Sequence, residues 1–246
     1  MNADVVPVRH MEGRIRGFLA LRDAEDRMIA SGTLNQRNNG SRVTTALKFV
    51  FKDGSRYEET AVFTQRRVFQ LLTYHLVQKG PVFKRPTDMT VNVATGQVAI
   101  RYTDDDGKEK SIDERMKLPP DLSNGLVSTL ISHRDPAVPK TSLSMLVSTP
   151  KPRVVKLEIS PAGEFPFSYA GSSAKANRYV VKIEIGGVSG VIAPIVGKQP
   201  PDTYIWIAGG TAPGFLKSEG SMFDGGPIWK IELASPVWPK SDPPTK

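Results

Sequence analysis

Apolar and polar residues alternate along much of this chain, which is the pattern of a β-strand with one buried face and one solvated face. Within residues 42–51 the bulky apolar side chains fall on one side of such a strand, and the basic and hydroxyl side chains fall mainly on the other. The sequence Lys52-Asp53-Gly54-Ser55 follows, and the alternation resumes at Tyr57 and Phe63. The pattern therefore predicts a β-hairpin with Asp53-Gly54 at its turn.

A second hairpin is predicted from residues 97–102 and 110–115, which alternate in the same way around Asp104-Asp105-Asp106-Gly107. Three aspartates beside a glycine raise the question of calcium. Calcium loops of the helix-loop-helix type place carboxylates at alternate positions and end on a glutamate further on. Adjacent aspartates are instead typical of a solvated turn.

One segment has the pattern of a helix. It follows Leu118-Pro119-Pro120, with Asp121 as the predicted N-cap and three leucines on one stripe, Leu122, Leu126 and Leu130. The helix is expected to run to about His133. Gly125 lowers its helix propensity by roughly 1 kcal/mol, so this glycine indicates a close approach of the helix to the sheet.

The β-pattern occupies residues 14–79 as five strands and resumes after the helix, giving about 13 to 15 strands in all. An open sheet with so many strands must curl or split into two layers. The sequence therefore predicts a mostly β fold: a large, strongly curved antiparallel sheet, either a half-barrel or an open barrel, with one short helix packed on it.

The 246 residues are expected to form one domain, since β-sandwiches and barrels often reach roughly 200–250 residues. We assign residues 1–13 to an N-terminal extension and residues 14–235 to a single β domain. Residues 236–246 form a proline-rich tail that should be extended or disordered. Scattered glycines and prolines, 21 and 20 of them, fit many short strands and turns.

The net charge of +8 does not indicate nucleic-acid binding, because the basic pairs Arg66-Arg67 and Lys84-Arg85 are isolated and the other basic residues alternate with acids. With no cysteine, the chain has no disulfide, thiolate metal site or cysteine nucleophile. No run of about 20 apolar residues is present, so an integral membrane protein is not expected. Residues 1–13 lack the apolar stretch of a secretory signal, so we expect either a cytosolic protein or a mature, exported form without its signal.

The candidate chemistry is sparse. The three histidines, His10, His75 and His133, are far apart in the sequence, and nothing in their spacing predicts a metal site or a catalytic triad. Gly187-Val188-Ser189-Gly190 lacks the spacing of a nucleophile elbow. Residues 190–198 resemble a phosphate loop, but the glycine spacing is wrong and two prolines follow. No cofactor and no metal are expected.

Two polar segments are candidates for ligand binding. The loop 197–202 lies between two apolar segments, and it is either a rigid binding loop or a simple hairpin connection. Residues 74–81 place polar side chains in an apolar strand, either as a polar ladder or as a concave patch that orients a ligand head group. The candidate binding residues are His75, Gln78, Lys79, Lys198, Gln199, Asp202 and Trp206.

Several motifs together resemble an uncharacterised family of bacterial, usually exported, proteins: residues 51–55, 75–81, 118–125, 197–202 and 225–229. The likeness covers about residues 10–238. It implies an exported protein but no known activity. The order of elements is also similar to curved half-barrels of the bacterial envelope, including periplasmic lipoprotein carriers, although no motif specific to those carriers is present. That resemblance implies a concave face suited to an acyl chain and lined by Phe49, Phe63, Leu71, Leu126 and Ile183.

Our leading hypothesis is a non-catalytic envelope or periplasmic protein that binds an apolar or lipidic ligand, or an envelope protein partner, on the concave face beneath the helix. The first alternative is a structural or protein-interaction module whose core is filled. The second is a hydrolase-type enzyme, with His75 or Asp121 as the acid or base. A binding protein needs a cavity of roughly 300 Å³, whereas an enzyme needs titratable groups that converge in one cleft.

Overall fold

The computed structural model describes residues 5–135, 137–148, 151–169, 171–184, 200–210 and 213–234. Fourteen strands and one helix lie within these ranges. The strands are β1 (Ile15–Arg22), β2 (Met28–Asn39), β3 (Arg42–Phe51), β4 (Arg56–Gln65), β5 (Phe69–Lys79), β6 (Thr87–Asn92), β7 (Gln97–Thr103), β8 (Glu109–Arg115), β9 (Thr141–Val147), β10 (Arg153–Tyr169), β11 (Ser172–Glu184), β12 (Thr203–Ala208), β13 (Phe215–Ser221) and β14 (Ile228–Leu233), and the helix is α1 (Val127–Ser132).

All the strands belong to one antiparallel sheet, in the order β8-β7-β6-β5-β4-β3-β2-β1-β14-β13-β12-β11-β10-β9. Neighbours in the sheet are neighbours in the sequence, except that β1 pairs with β14, with Leu19 opposite Leu233. The sheet therefore has two meandering halves that meet at its centre, and β8 and β9 are its outer edges. The predicted large antiparallel sheet with one short helix is confirmed.

The two predicted hairpins are also confirmed. Gly54 and Gly107 have φ values of +84° and +76°, the left-handed conformation that tight turns require of glycine. In the second turn, one carboxylate oxygen of Asp104 accepts hydrogen bonds from the backbone N–H groups of Asp106 and Lys108, at 3.1 and 2.8 Å. This carboxylate stabilises the turn, as expected of a solvated turn.

The sheet curves around a shared apolar core. One buried cluster contains Phe63 and Val98 from the first half of the sheet, Leu157 and Ile205 from the second half, and Leu126 beside α1. Side chains from distant strands can meet in this way only if the sheet bends around them. A second cluster fills another part of the inner face and includes Leu19, Leu21, Phe49, Phe51, Phe83 and Trp229.

The predicted helix over residues 121–133 is wrong in its first half, because α1 begins only at Val127 and its N-cap is Leu126. Gly125 has a φ of +72°, which an α-helix cannot include, so the chain turns there before the helix begins. Asp121 is not a cap, and its Oδ2 accepts a hydrogen bond from the Ser144 hydroxyl at 2.8 Å. The three predicted leucines are nevertheless buried: Leu122, Leu126 and Leu130.

The segment before α1 covers the outer edge of β9. The side-chain amide of Asn124 donates to the carbonyl of Leu146 at 2.9 Å, and its oxygen accepts from the Leu146 N–H at 2.8 Å. The N–H of Ser123 donates to the carbonyl of Ser144 at 2.8 Å. These bonds satisfy backbone groups that an edge strand otherwise exposes. No comparable contact covers the outer edge of β8 in the described chain.

Described residues before β1 pack on the body of the domain. Val6 and Glu12 are buried, and Pro7 forms an isolated bridge with Val68. The predicted proline-rich tail, residues 236–246, lies outside the described residues. Among the described residues, no helix has the length and apolar character needed to cross a bilayer.

Replacing Gly125 with alanine tests how the segment before α1 packs. An added Cβ would lie 2.8 Å from the Ala61 Cβ, and the left-handed backbone would also be strained. Gly107 has a similar φ but open space around it, so Gly107→Ala isolates the backbone strain. We expect a loss of about 1 kcal/mol for Gly107→Ala and about 2 kcal/mol or more for Gly125→Ala in urea unfolding. Equal losses would contradict the close packing of Gly125.

Candidate functional site

A cleft of about 400 Å³ opens beside the inner faces of β6 and β7 and the end of β9. Its volume falls in the range that small-molecule sites occupy, roughly 300–1,000 Å³. It joins β6, β7 and the β7–β8 turn, near one end of the sheet, to Ser148, which directly follows β9 at the other end, so it lies at the open seam of the fold. Its lining residues are Arg85, Thr87, Ile100, Tyr102, Asp104, Asp105, Asp106 and Ser148.

The lining of this cleft, which we call the seam cleft, combines an apolar base with a charged rim. Thr87 lies opposite Tyr102 in the β6–β7 pairing, and Ile100 on the same face is buried. At the rim, the Arg85 guanidinium forms a two-point contact with the Asp105 carboxylate, with Nε at 2.9 Å from Oδ1. The hydrogen bond from Arg85 lowers the pKa of Asp105, and the bond to Asp105 raises the pKa of Arg85.

The space beneath the helix is much smaller. An apolar pocket between β5 and the α1 segment has a volume of about 60 Å³, far below that of an acyl chain site. Of the residues expected to line an acyl chain site, Phe49, Phe63, Leu71 and Leu126 are buried in the packed core, and Ile183 is half-buried against it. The seam cleft is therefore the larger of these two openings.

An acid lies on the inner face between the two apolar clusters. Glu59 is opposite Leu47 on one side and Leu76 on the other, and the Tyr74 hydroxyl donates to its Oε1 at 2.7 Å. Burial raises the pKa of Glu59, and hydrogen bonds from Tyr74 and Tyr57 oppose this rise without cancelling it. Burial also raises the pKa values of both tyrosines, so both hydroxyls stay protonated near neutral pH.

A buried polar cluster attaches the segment before β1 to the C-terminal end of α1. The Glu12 carboxylate accepts hydrogen bonds from His133 Nε2 at 2.9 Å and Gln36 Nε2 at 2.6 Å. The Arg9 N–H donates to His133 Nδ1 at 3.1 Å, so the neutral imidazole carries its proton on Nε2, facing Glu12. The Gln65 side-chain amide bonds both the N–H and the carbonyl of Glu12.

This cluster has the composition of a metal site but not the geometry. Ligand atoms of His10, Glu12 and His133 all lie within 4.8 Å of one another. The two imidazole rings are stacked, with centroids 3.9 Å apart and planes inclined by 20°, so their in-plane lone pairs do not converge on one ion. Nε2 of His133 also carries the proton, because Nδ1 is the acceptor. We therefore interpret the cluster as a hydrogen-bonded structural network.

The three candidates on β5 do not share a face. Gln78 points to the inner face, is buried, and donates to the Met222 carbonyl at 3.2 Å. His75 and Lys79 are exposed on the other face, where His75 Nε2 lies 2.9 Å from an oxygen of Asp88. Successive side chains of a strand alternate between faces, so the three residues do not form one patch.

The other candidates lie in a distant part of the sheet. Trp206 is buried on the side of β12 opposite to Ile205, between the cations of Arg178 and Lys217, which lie 5.9 and 5.0 Å from its ring centroid. The half-buried Asp202 lies 3.8 Å from Lys182 Nζ. Lys198 and Gln199 fall outside the described residues. The structure thus does not bring the described candidates together.

The residues of the seam cleft and of the buried cluster are not predicted by the sequence patterns. The sequence predicts only a turn at Asp104, Asp105 and Asp106, and only an isolated basic pair at Lys84-Arg85. No sequence signal joins Glu12 to His133, since 121 positions separate them. Glu59 is different, because the sequence does contain a signal for it. It lies between Tyr57 and Ala61 on the inward side of the alternating pattern, and an acidic residue at an inward position indicates a buried polar group.

No protein-family model matches the chain, and no curated protein matches it. Among solved structures, the fold is similar to that of a β-barrel-like protein of a domain of unknown function, DUF1849, from Brucella abortus. The two chains are 9% identical, with a TM-score of 0.45, over 93% of this chain and 100% of the other. At this level of similarity the comparison assigns no function.

Replacing Glu12 with glutamine tests the buried cluster. Burial tends to raise the pKa of Glu12, but hydrogen bonds from His133 and Gln36, together with the electrostatic effect of His133 and His10, outweigh burial and hold the pKa below its ordinary value of 4.5. A lowered carboxyl pKa stabilises the fold above that ordinary value, and the contribution is lost as the pH falls through the folded-state pKa.

We therefore expect Glu12→Gln to lower the free energy of unfolding by about 1–3 kcal/mol at pH 7. The difference from the natural chain should shrink below pH 4.5, as measured by urea unfolding across the pH range. Glu25→Gln, at an exposed turn, is the control and should have little effect. A difference that does not change with pH would show that the ionised carboxylate is not what stabilises the fold.

Proposed function

We propose that this protein is a non-catalytic envelope protein that binds an amphipathic, lipid-like ligand, with the polar end of the ligand in the seam cleft. The observation that carries the proposal is the volume of that cleft, about 400 Å³, against about 60 Å³ beneath the helix. Ligand sites combine an apolar wall with a few polar groups that orient the ligand, and this cleft has both.

The charges at the rim favour one class of head group. Arg85 is paired with Asp105, and Asp104 and Asp106 add two further carboxylates. Lys110 Nζ lies 3.8 Å from Asp104, so two cations face three carboxylates, and the remaining negative charge at the rim would repel an anionic head group. The proposed ligand therefore has a zwitterionic or cationic head group.

The apolar part of the ligand would extend along half-buried side chains of the inner face. Ile112 lies opposite Ile100 in the β7–β8 pairing, and both are associated with the main apolar cluster. Covering a partly exposed apolar side chain such as Ile112 is favourable by roughly 25 cal/mol for each Å² removed from water. Half-buried residues that contact this cluster include Tyr102, Ile112, Met145, Val154 and Ile183, and Tyr102 also lines the cleft.

The periplasm is the proposed compartment, and the support for it is the resemblance to a usually exported bacterial family. Fractionation of the bacterial host, with an antibody against this chain, tests the location. Recovery in the cytosolic fraction would contradict an envelope role. The seam cleft would then be the sole support for the ligand proposal.

A protein-interaction module with a filled core is the second candidate. The observation that favours it is the packing of the inner face beneath α1, where Phe63, Leu126 and Ile131 are almost completely buried. Native mass spectrometry of the protein purified without detergent from its host separates the two functions. A co-purifying lipid-sized mass supports the ligand proposal, whereas a bare chain after incubation with mixed lipids supports the module.

Replacing Thr87 with tryptophan should occlude the seam cleft. Thr87 lines the cleft, whereas Thr90 is exposed on the opposite face of β6, so Thr90→Trp is a matched control. We expect Thr87→Trp to weaken binding of lysophosphatidylcholine at least about tenfold, because the indole fills the space the head group needs. Thr90→Trp should bind as the natural chain does.

Calorimetric titration measures this difference, with a fatty acid of the same chain length as a second ligand. The fatty acid should bind more weakly than lysophosphatidylcholine, since its carboxylate meets the acidic rim. Equal affinity of the Thr87→Trp and Thr90→Trp variants would place the ligand elsewhere and contradict the role of the cleft.

A further inference from the structure

The two edges of the sheet differ in how they are covered. The outer edge of β9 is bonded by Ser123 and Asn124, as described above, so it offers few free backbone groups. Within the described chain, β8 pairs with β7 alone. A strand edge of this kind can accept another strand through its free N–H and C=O groups.

The free backbone groups of β8 can be identified from the ladder. Gln97 lies opposite Arg115, and the Met116 N–H donates to the Gly96 carbonyl at 2.8 Å, which continues the same register. Backbone groups of an antiparallel strand point alternately to its two neighbours. Because the Met116 N–H bonds to β7, the backbone N–H and C=O groups of the even-numbered residues of β8 also point to β7. Those of the odd-numbered residues point to the open edge.

The charges along β8 are self-complementary. Its sequence is Glu-Lys-Ser-Ile-Asp-Glu-Arg, from Glu109 to Arg115. If Ile112 lies opposite its own copy in an antiparallel pair, Glu109 faces Arg115 of the second chain and Lys110 faces Glu114. Twofold symmetry repeats both contacts, so every directly opposed pair of charged residues has opposite signs. We infer that two copies of this chain pair antiparallel through β8, in the register centred on Ile112.

In the neighbouring symmetric registers, residues of like charge face each other. Centring the pair on Ser111 places Glu109 opposite Asp113, and centring it on Asp113 places two copies of that aspartate opposite each other. Like charges directly opposed across strands destabilise the pair, whereas opposite charges contribute roughly 0.2–1 kcal/mol each. The sequence of β8 therefore favours a single register.

The backbone geometry suits that register. Ser111 and Asp113 of facing copies would exchange edge hydrogen bonds, and so would Glu109 and Arg115. The two Ile112 residues would form the non-hydrogen-bonded pair between them, where opposed side chains come closest. Ile112 is half-buried on the inner face in one copy, and the contact would cover more of it.

The charged side chains of β8 are available for these contacts. Glu109, Glu114 and Arg115 form no ion pair within the described ranges, and Lys110 Nζ lies 3.8 Å from Asp104. Charged residues on an edge strand commonly prevent uncontrolled pairing, and any arrangement of charges can do so. The order in β8, with acidic and basic residues at matching distances from Ile112, is what indicates a second copy of this chain as the partner.

A charge-exchange experiment tests the pairing. Lys110→Glu alone places the new acidic side chain at position 110 opposite Glu114 of the second chain. Glu114→Lys alone places the new basic side chain at position 114 opposite Lys110 of the second chain. In a mixture of the two variants, a dimer formed from one chain of each variant again has opposite charges at every facing pair. We expect the natural chain to dimerise with increasing concentration in sedimentation equilibrium, each variant to dimerise at least about tenfold more weakly, and the mixture to recover the dimer.

Asp224→Lys, at the exposed turn before β14, changes the net charge as Glu114→Lys does and is the control that should dimerise normally. Circular dichroism verifies that each variant is folded. A natural chain that stays monomeric at every concentration would overturn the proposal. So would single variants that associate as strongly as the natural chain, or a mixture that associates no better than its components.

Discussion

The pairing of β1 with β14 is the contact on which the rest of the architecture depends. It joins the beginning and the end of the sheet-forming chain at the centre of the sheet, with Leu21 opposite Ile231. Two meandering halves then extend outward in opposite directions, so the edges are β8 and β9, which follow each other in the sequence. The segment between them must cross from one edge to the other, and it brings α1 into the space that the curved sheet encloses.

That crossing segment is held at its two ends by polar contacts within an otherwise apolar core. Asn124 replaces a neighbouring strand at the edge of β9, and His133 bonds Glu12 at the far end of α1. Buried polar groups are costly when unpaired, so each of these partners fixes where its segment can lie. The Glu12 contact also immobilises the chain just before β1, which strengthens the central pairing by reducing the freedom of its first strand.

The strands could be predicted because their evidence is local. Alternation at Val43, Leu47 and Phe49 and a glycine at each turn are visible in any short window of the sequence. The start of α1 could not, because it depends on the left-handed conformation of Gly125, which lies so close to Ala61 that an added Cβ would be 2.8 Å from the Ala61 Cβ. A ligand site is harder to predict from the sequence for a different reason, since it depends on which strands face each other across the sheet. Even so, the parity of positions 75 and 78 already placed those side chains on opposite faces.

The seam cleft and the open edge of β8 have the same origin. The sheet could close only if β8 paired with β9, but the backbone of β9 is already bonded by Ser123 and Asn124. β8 also carries charge on both of its faces, with Lys110 and Glu114 on the side of Ile112 and Asp113 on the other. Closing the barrel would bury Lys110 and Glu114 beside an apolar core at a cost of several kcal/mol for each unpaired ion. The fold avoids that cost by remaining open, and the opening leaves both a cleft at the seam and an edge whose charges can be neutralised by a second copy.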